Sequence, residues 1–310
     1  MLALPGGRAA GSLPLTGRSL MLPSAQVREG ELGGAVADDA REQRTEGFYA
    51  ALYEEPDRLR ASDLNEVLMP DHLDRLRFTN FPLMQHGALF KWDTIVDGVL
   101  EVYRRPWQLV AEQNDLRVPD DEEVLRSVGM RPERAIMAFR WTDDWGQTQQ
   151  LAFDHFQAKA TVFRESEFTP TDGVLPWLTL LQQYQVPCCL CAGTSLDRAA
   201  VETVLSKAGL TDFFESCVCM EDGCETAEQA YLVGAIKLRR PPSRCVVFED
   251  DPKGIAAAHE ATSKVVAVMG QPGSGGFGSD LRHADMRIPA FDSLSLMSLR
   301  ELFKDAPPVL

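Results

Sequence analysis

The sequence predicts an α/β fold: a doubly wound parallel sheet with an inserted block of helices. Three observations predict it. From Gly173 onward, short apolar runs alternate with stretches of helical spacing, the pattern of parallel strands joined by crossover helices. A lone apolar run, Gly87-Ala88-Leu89-Phe90, stands far upstream. Between the two, residues 100–164 carry helical spacing.

Taken in order, residues 1–28 are rich in Gly, Pro, Ser and Leu, with Arg8, Arg18 and Arg28 and no acid before Glu29. That composition is like an organelle transit peptide and lacks the apolar core of a secretory signal; a disordered tail is the plainer alternative. We read residues 1–44 as this tail. Residues 45–84 are expected to form a helical extension, because Phe48, Leu52, Leu59, Leu64, Val67 and Leu68 make an apolar face broken at Pro56 and Pro70. Residues 85–98 and 173–304 are expected to form the sheet domain, and 99–172 the inserted helices.

Within the insertion, "VYRRPWQLVAEQ", "EEVLRSVGM" and "LAFDHFQAKATVF" have helical spacing. Trp141 and Trp145 fall in a polar loop, where packing between helices or lining of a cleft would use them. Beyond Gly173, "VLPWLTLLQQYQ" is helical and "PCCLCA" extended. "SLDRAAVETVLSKAG" is a helix, with Thr194 or Ser195 as N-cap and Gly209 as its stop. "FFESCVCM" is extended, "AEQAYLVGAIKL" helical and "CVVFED" extended. "PKGIAAAHEA" is a helix opened by Pro252, "KVVAVMG" is a strand, and the glycine-rich 271–279 is a loop.

Composition excludes some partners. A net charge of −15 argues against nucleic acid and anionic membrane surfaces, both polyanions. No apolar stretch is long enough to cross a bilayer. All seven cysteines lie between Cys188 and Cys245, an odd count without a secretory signal, so reduced, buried thiols are expected. Cys189 with Cys191, and Cys217 with Cys219, would each share a strand face. His72, His86, His155, His259 and His283 form no ligand spacing.

In open parallel sheets, ligands gather at the carboxyl ends of the strands. Four stations follow: Lys91 with Asp93; Ala192 to Thr194; Met220 to Glu225; and Glu249-Asp250-Asp251. These stations, and "CVVFEDDPKGIAAAHEA" above all, resemble the haloacid dehalogenase superfamily, in its beta-phosphoglucomutase-like branch. The likeness runs from about residue 86 to 302 and continues in "KVVAVMG" and "ADMRIPAFDSL". It implies a Rossmannoid core with a helical cap inserted between the first and second stations.

The resemblance also implies a chemistry. A first aspartate attacks phosphorus, a second, two residues on, serves as general acid and base, and a hydroxyl residue and a lysine hold the phosphoryl oxygens. Magnesium neutralises the charge. Carried across, the nucleophile position holds Lys91 and the acid/base position Asp93. Making Asp93 the nucleophile would put Ile95 at the acid/base position. The hydroxyl position is best matched by Ala192, with Thr194 two residues on. Glu225 stands at the lysine position, and Glu249 and Asp250 keep the acidic pair. Asp93, Glu249 and Asp250 are the metal-site candidates.

A protonated amine is no nucleophile, and neighbouring carboxylates keep it protonated. Lys91 is therefore expected to stand in for the cation; drift in a site relieved of catalysis would produce the same residue. Lys91 and Glu225 exchange the signs of the family's aspartate and lysine and leave their sum unchanged. The expectation is a catalytically inactive family member with a binding, scaffold or regulatory role, engaging a protein partner or a small phosphate ligand. It needs no cofactor. The alternative is an active magnesium-dependent phosphatase or phosphomutase on a sugar phosphate or a riboflavin-pathway aminouracil phosphate. A third hypothesis puts the activity in the N-terminal extension. The resemblance favours the chloroplast over other organelles, the cytoplasm being the alternative location.

Overall fold

The computed structural model describes residues 55–193, 195–269 and 281–304. The transit-like stretch, Phe48, Leu52, Thr194 and the glycine-rich loop lie outside them. Among the described residues, six parallel strands form one sheet: β1 (Gly87–Lys91), β2 (Cys188–Cys191), β3 (Ser216–Val218), β4 (Cys245–Glu249), β5 (Lys264–Val268) and β6 (Met286–Ile288). Their order is β3-β2-β1-β4-β5-β6. The chain runs outward from β1 to β3, then returns to β4 on the other side of β1. The order reverses there, so a crevice opens beyond the ends of β1 and β4, where ligands bind in such folds.

The central strands are apolar throughout because both faces are covered. Ala88, Phe90, Leu190, Val246 and Phe248 face one layer, with Phe90 and Phe248 stacked at 4.4 Å. Helices α7 (Val174–Gln183), α8 (Arg198–Ala208) and α11 (Leu296–Leu302) cover that face. Leu89, Cys189, Cys191, Val247 and Val265 face the other, against α9 (Ala227–Lys237) and α10 (Pro252–Glu260).

Two short helices, α1 (Ala61–Val67) and α2 (His72–Asn80), precede the sheet. Leu64 and Leu68 are buried against the second layer, whereas Val67 points to solvent, off the face assigned to it from spacing. Asn65 fixes α1: its Oδ1 accepts from Ser243 N and its Nδ2 donates to Thr262 Oγ1, both at 2.9 Å.

Between β1 and α7 stand α3 (Val99–Gln113), α4 (Asp121–Ser127), α5 (Pro132–Ala138) and α6 (Trp145–Glu165). They bury a core of their own: Trp107, Val110, Val124, Ile136, Phe139 and Leu151. The chain leaves and re-enters the sheet domain side by side. Asp97 N donates to Thr169 O at 2.9 Å and Thr171 N to Ile95 O at 3.0 Å. Gly173 closes this return at φ +79°, and a Cβ there would meet Asp292 N at 2.4 Å. Trp141 packs on Trp107 at 5.8 Å, while Trp145 opens α6 and is exposed.

One capping expectation is corrected. The N-cap of α8 is Asp197, whose Oδ1 accepts from Ala200 N at 2.8 Å, and not Thr194 or Ser195. Ser195 N and Leu196 N both bond back to Ala192 O, so the chain is still turning where the helix was expected to start. Gly209 stops the helix at φ +67°, as its position implied.

Candidate functional site

β1 ends on Lys91, one residue past the Phe90–Phe248 pair, so its side chain falls beside the end of β4. The ammonium sits among four carboxylates. Nζ lies 2.5 Å from Asp250 Oδ1, 3.2 Å from Asp93 Oδ2, 3.3 Å from Asp251 Oδ2 and 3.8 Å from Glu249 Oε2. Only 17% of the Lys91 side chain is exposed. Burial alone would lower its pKa, but the carboxylates, Asp250 foremost, outweigh burial and raise it well above the ordinary lysine value. Lys91 is thus a fixed cation.

Each acid is held by its own element. Glu249 ends β4; its Oε2 accepts from Asp250 N at 2.8 Å and Asp251 N at 3.2 Å, and its Oε1 accepts from the Tyr231 hydroxyl of α9. Burial pushes Glu249 up to about 8 and Asp250 up to about 6, with Lys91 opposing both. Asp251 caps α10, accepting from Lys253 N and Gly254 N at Oδ1, and its carboxyl is lowered because Lys91 and these donors outweigh burial. Gly254 makes room: a Cβ there would lie 1.8 Å from Glu249 Oε1. Asp93 sits in the turn after β1 and accepts from the Tyr103 hydroxyl of α3 at 2.7 Å, while its Oδ1 is buried without a partner among the described residues.

The structure thus brings Lys91, Asp93, Glu249 and Asp250 together, and adds Asp251, Tyr103 and Tyr231. Glu225 stands apart. It is 71% exposed and pairs at 3.3 Å with Arg131, at the start of α5. The sign exchange between Lys91 and Glu225 is therefore not one local event. Ala192 is buried and offers only a methyl group. Thr194 lies outside the described residues. Lys159 of α6 is half-buried, with Nζ 2.5 Å from Ser195 O; partial burial brings it down to about 8 despite Asp197.

Three of these partners carried little signal in the sequence. Tyr103, Tyr231 and Lys159 stand on helices whose rotation toward the crevice is set by packing. Asp251 was visible as the third acid of its station.

Magnesium takes near-octahedral oxygen coordination at about 2.0–2.1 Å. Ligand atoms of Glu249, Asp250 and Asp251 lie within 4.8 Å of one another, a donor set of suitable chemistry. The ammonium spans that set, both Glu249 oxygens already accept hydrogen bonds, and Asp251 Oδ1 is used as a helix cap. The residues as arranged do not fit the divalent ion. Nor does β1 end on a carboxylate able to take a phosphoryl group.

Comparisons with known proteins agree with the geometry on family. A chloroplastic 5-amino-6-(5-phospho-D-ribitylamino)uracil phosphatase from Arabidopsis thaliana is 24% identical over 70% of this chain, which spans 57% of that relative. A validoxylamine A 7'-phosphate phosphatase from Streptomyces hygroscopicus subsp. limoneus is 28% identical over 57% of this chain and 83% of its own. The crystal structure of beta-phosphoglucomutase from Clostridium difficile shares the fold, with a TM-score of 0.59 at 16% identity, over 71% of this chain and 97% of that one. A family model for haloacid dehalogenase-like hydrolases matches residues 91–262, more than half the chain. With six parallel strands in this order and the acidic crevice between β1 and β4, the chain belongs to the haloacid dehalogenase-like hydrolase family.

Proposed function

We propose that this chain is a family member without phosphoryl-transfer activity, whose core and cap serve a binding, scaffold or regulatory role. One observation supports the proposal: the Lys91 ammonium lies 2.5 Å from Asp250, and on our reading it stands where the resemblance implies the nucleophile and beside the acids that would hold a divalent ion. A protonated amine cannot form the acyl phosphate, and losing the nucleophile of a cooperative site typically costs on the order of 10^4 to 10^6 in rate. The second station offers Ala192 and the third an acid, so neither restores phosphate affinity. What remains is a cap over a polar crevice, suited to a protein partner or a small phosphate ligand. Lys159 supplies a half-buried cation for the latter. The transit-like segment and the chloroplastic relative support a plastid location.

A second reading is a magnesium-dependent phosphatase or phosphomutase acting on a sugar phosphate or a riboflavin-pathway aminouracil phosphate. The cluster of Glu249, Asp250 and Asp251 and the named activities of the relatives favour it. Two experiments separate the readings. A panel of small phosphate esters with magnesium should give no turnover that Asp250→Ala removes; clear turnover lost in that variant overturns the inactive reading. Calorimetric titration with magnesium should give no binding to the native protein and measurable binding to Lys91→Asp. Tight binding to the native protein would eliminate the replacement-cation role of Lys91.

A further inference from the structure

A second reactive cluster lies at the far edge of the sheet. β3 is an edge strand, paired among the described residues with β2 alone. Its half-buried Cys217 and the buried Cys219 just beyond it place their sulfurs 3.5 Å apart, with the Cys219 thiol donating to Cys217 Sγ. Arg198 of α8 reaches the same sulfur, Nη1 to Sγ at 3.6 Å. Lys237 of α9 donates to Cys217 O at 2.8 Å and pairs with Asp222 at 2.7 Å. Asp222 in turn accepts from Cys219 N at 2.8 Å, and Glu221 accepts from Arg198 N. Cys217 thus has a hydrogen-bond donor and a guanidinium on its sulfur, with Asp222 opposing them.

These neighbours favour the thiolate. The bond from Cys219, then Arg198 and Lys237, bring the Cys217 thiol down to about 6 against burial and Asp222. Burial pushes other thiols the opposite way, Cys224 to about 11 and Cys245 to about 12, and raises Cys188 as well. Thiolate character with solvent access is what selects a cysteine for oxidation, and a second thiol at hand makes the oxidation reversible.

We propose that Cys217 is a hydroperoxide-reactive thiolate and that Cys219 resolves its oxidised form as an intramolecular disulfide. The Cys217 thiolate attacks the distal peroxide oxygen. The O–O bond breaks, sulfur loses two electrons and becomes a sulfenic acid, and the leaving alkoxide or hydroxide takes up a proton. Cys219 then attacks the sulfenic sulfur. The S–S bond forms, the S–O bond breaks, and the departing hydroxide leaves as water with the Cys219 proton. The sulfurs must close to about 2.05 Å. A strand with a single neighbour can shift to allow it.

The test uses the full-length protein, hydrogen peroxide in slight excess, then alkylation and peptide mass analysis. The expected result is loss of two thiols, a two-dalton decrease in the peptide carrying Cys217 and Cys219, and full reversal by dithiothreitol. Cys219→Ser should instead hold a sulfenic acid at Cys217 that a dione probe traps. Arg198→Met should slow oxidation and alkylation of Cys217 several-fold near pH 6 and shift its alkylation profile upward in pH. Chemical denaturation of each variant establishes that it folds. Thiols lost evenly across the seven cysteines would overturn the proposal. So would Cys217 driven to sulfinic acid while Cys219 stays free.

Discussion

The ends of β1 and β4 border one crevice, yet they depart from the family pattern to opposite degrees. The end of β4 carries Glu249, Asp250 and Asp251, and Glu249 and Asp251 also hold the fold together. Glu249 ties two backbone amides and a tyrosine, and Asp251 caps α10. β1 ends on Lys91, an amine at the position where the resemblance implies a carboxylate. At the third station Glu225 reaches only an exposed arginine. The difference is one of duties: Glu249 and Asp251 combine charge with backbone support, whereas Lys91 makes ion pairs with the surrounding acids.

The largest expected effect breaks that balance. Lys91→Met keeps most of the side-chain volume and leaves the buried acids without their counter-charge, which should cost about 3–5 kcal/mol. The cost should depend on pH with a definite sign. The folded pKa of Asp250, about 6, and that of Glu249, about 8, stand above the ordinary carboxylate values of 3.8 and 4.5. Such groups stabilise the fold fully below their unfolded values, and that contribution is lost as pH rises through the folded ones. Lys91 itself stays charged throughout this window. Removing it should therefore destabilise the protein more at pH 8 than at pH 5, read by urea denaturation at both. An equal loss at the two pH values would mean the acids are not coupled to the amine.

The next effect concerns β4 alone. Gly254→Ala should stabilise an exposed helix by about 1 kcal/mol. Here the new methyl would lie 1.8 Å from Glu249 Oε1, so the carboxylate must move and the Tyr231 bond is lost. A net loss of about 1–3 kcal/mol is expected. Tyr231→Phe, which removes the donor without adding bulk, should cost about 1 kcal/mol. If the glycine variant proves more stable, Glu249 is not held as tightly as the contrast with β1 requires.

Much of this contrast was legible in the sequence. The alternation beyond Gly173 located the strands, and strand ends are where side chains of a parallel sheet converge, so Lys91, Asp93, Glu249 and Asp250 could be grouped without coordinates. The helix caps were less legible. Asp197 caps α8 because Ala192 O still holds the preceding turn, a backbone event with no sequence signature. Tyr103, Tyr231 and Lys159 were hidden for another reason: a helical pattern tells which residues share a face, but not which of them meets a strand end in another element. Val67 shows the same limit at small scale, since the spacing that buries Leu64 and Leu68 leaves it in solvent.

The smallest expected effect sharpens the contrast from the side of the third station. Glu225 and Arg131 join the sheet domain to the inserted helices, but both are largely exposed, at 71% and 75%. Exposed pairs of this kind contribute little, because water screens the attraction and two long side chains must be ordered. Glu225→Lys sets the family's residue back in place and faces it with Arg131. The change in stability should stay within about 0.5 kcal/mol at moderate salt, and no phosphatase activity should return while Lys91 remains. Activity measured in the single variant would place the chemical deficit at the third station. Activity that returns only when Lys91→Asp is combined with it would place the deficit at β1, where the Lys91 ammonium lies among the carboxylates.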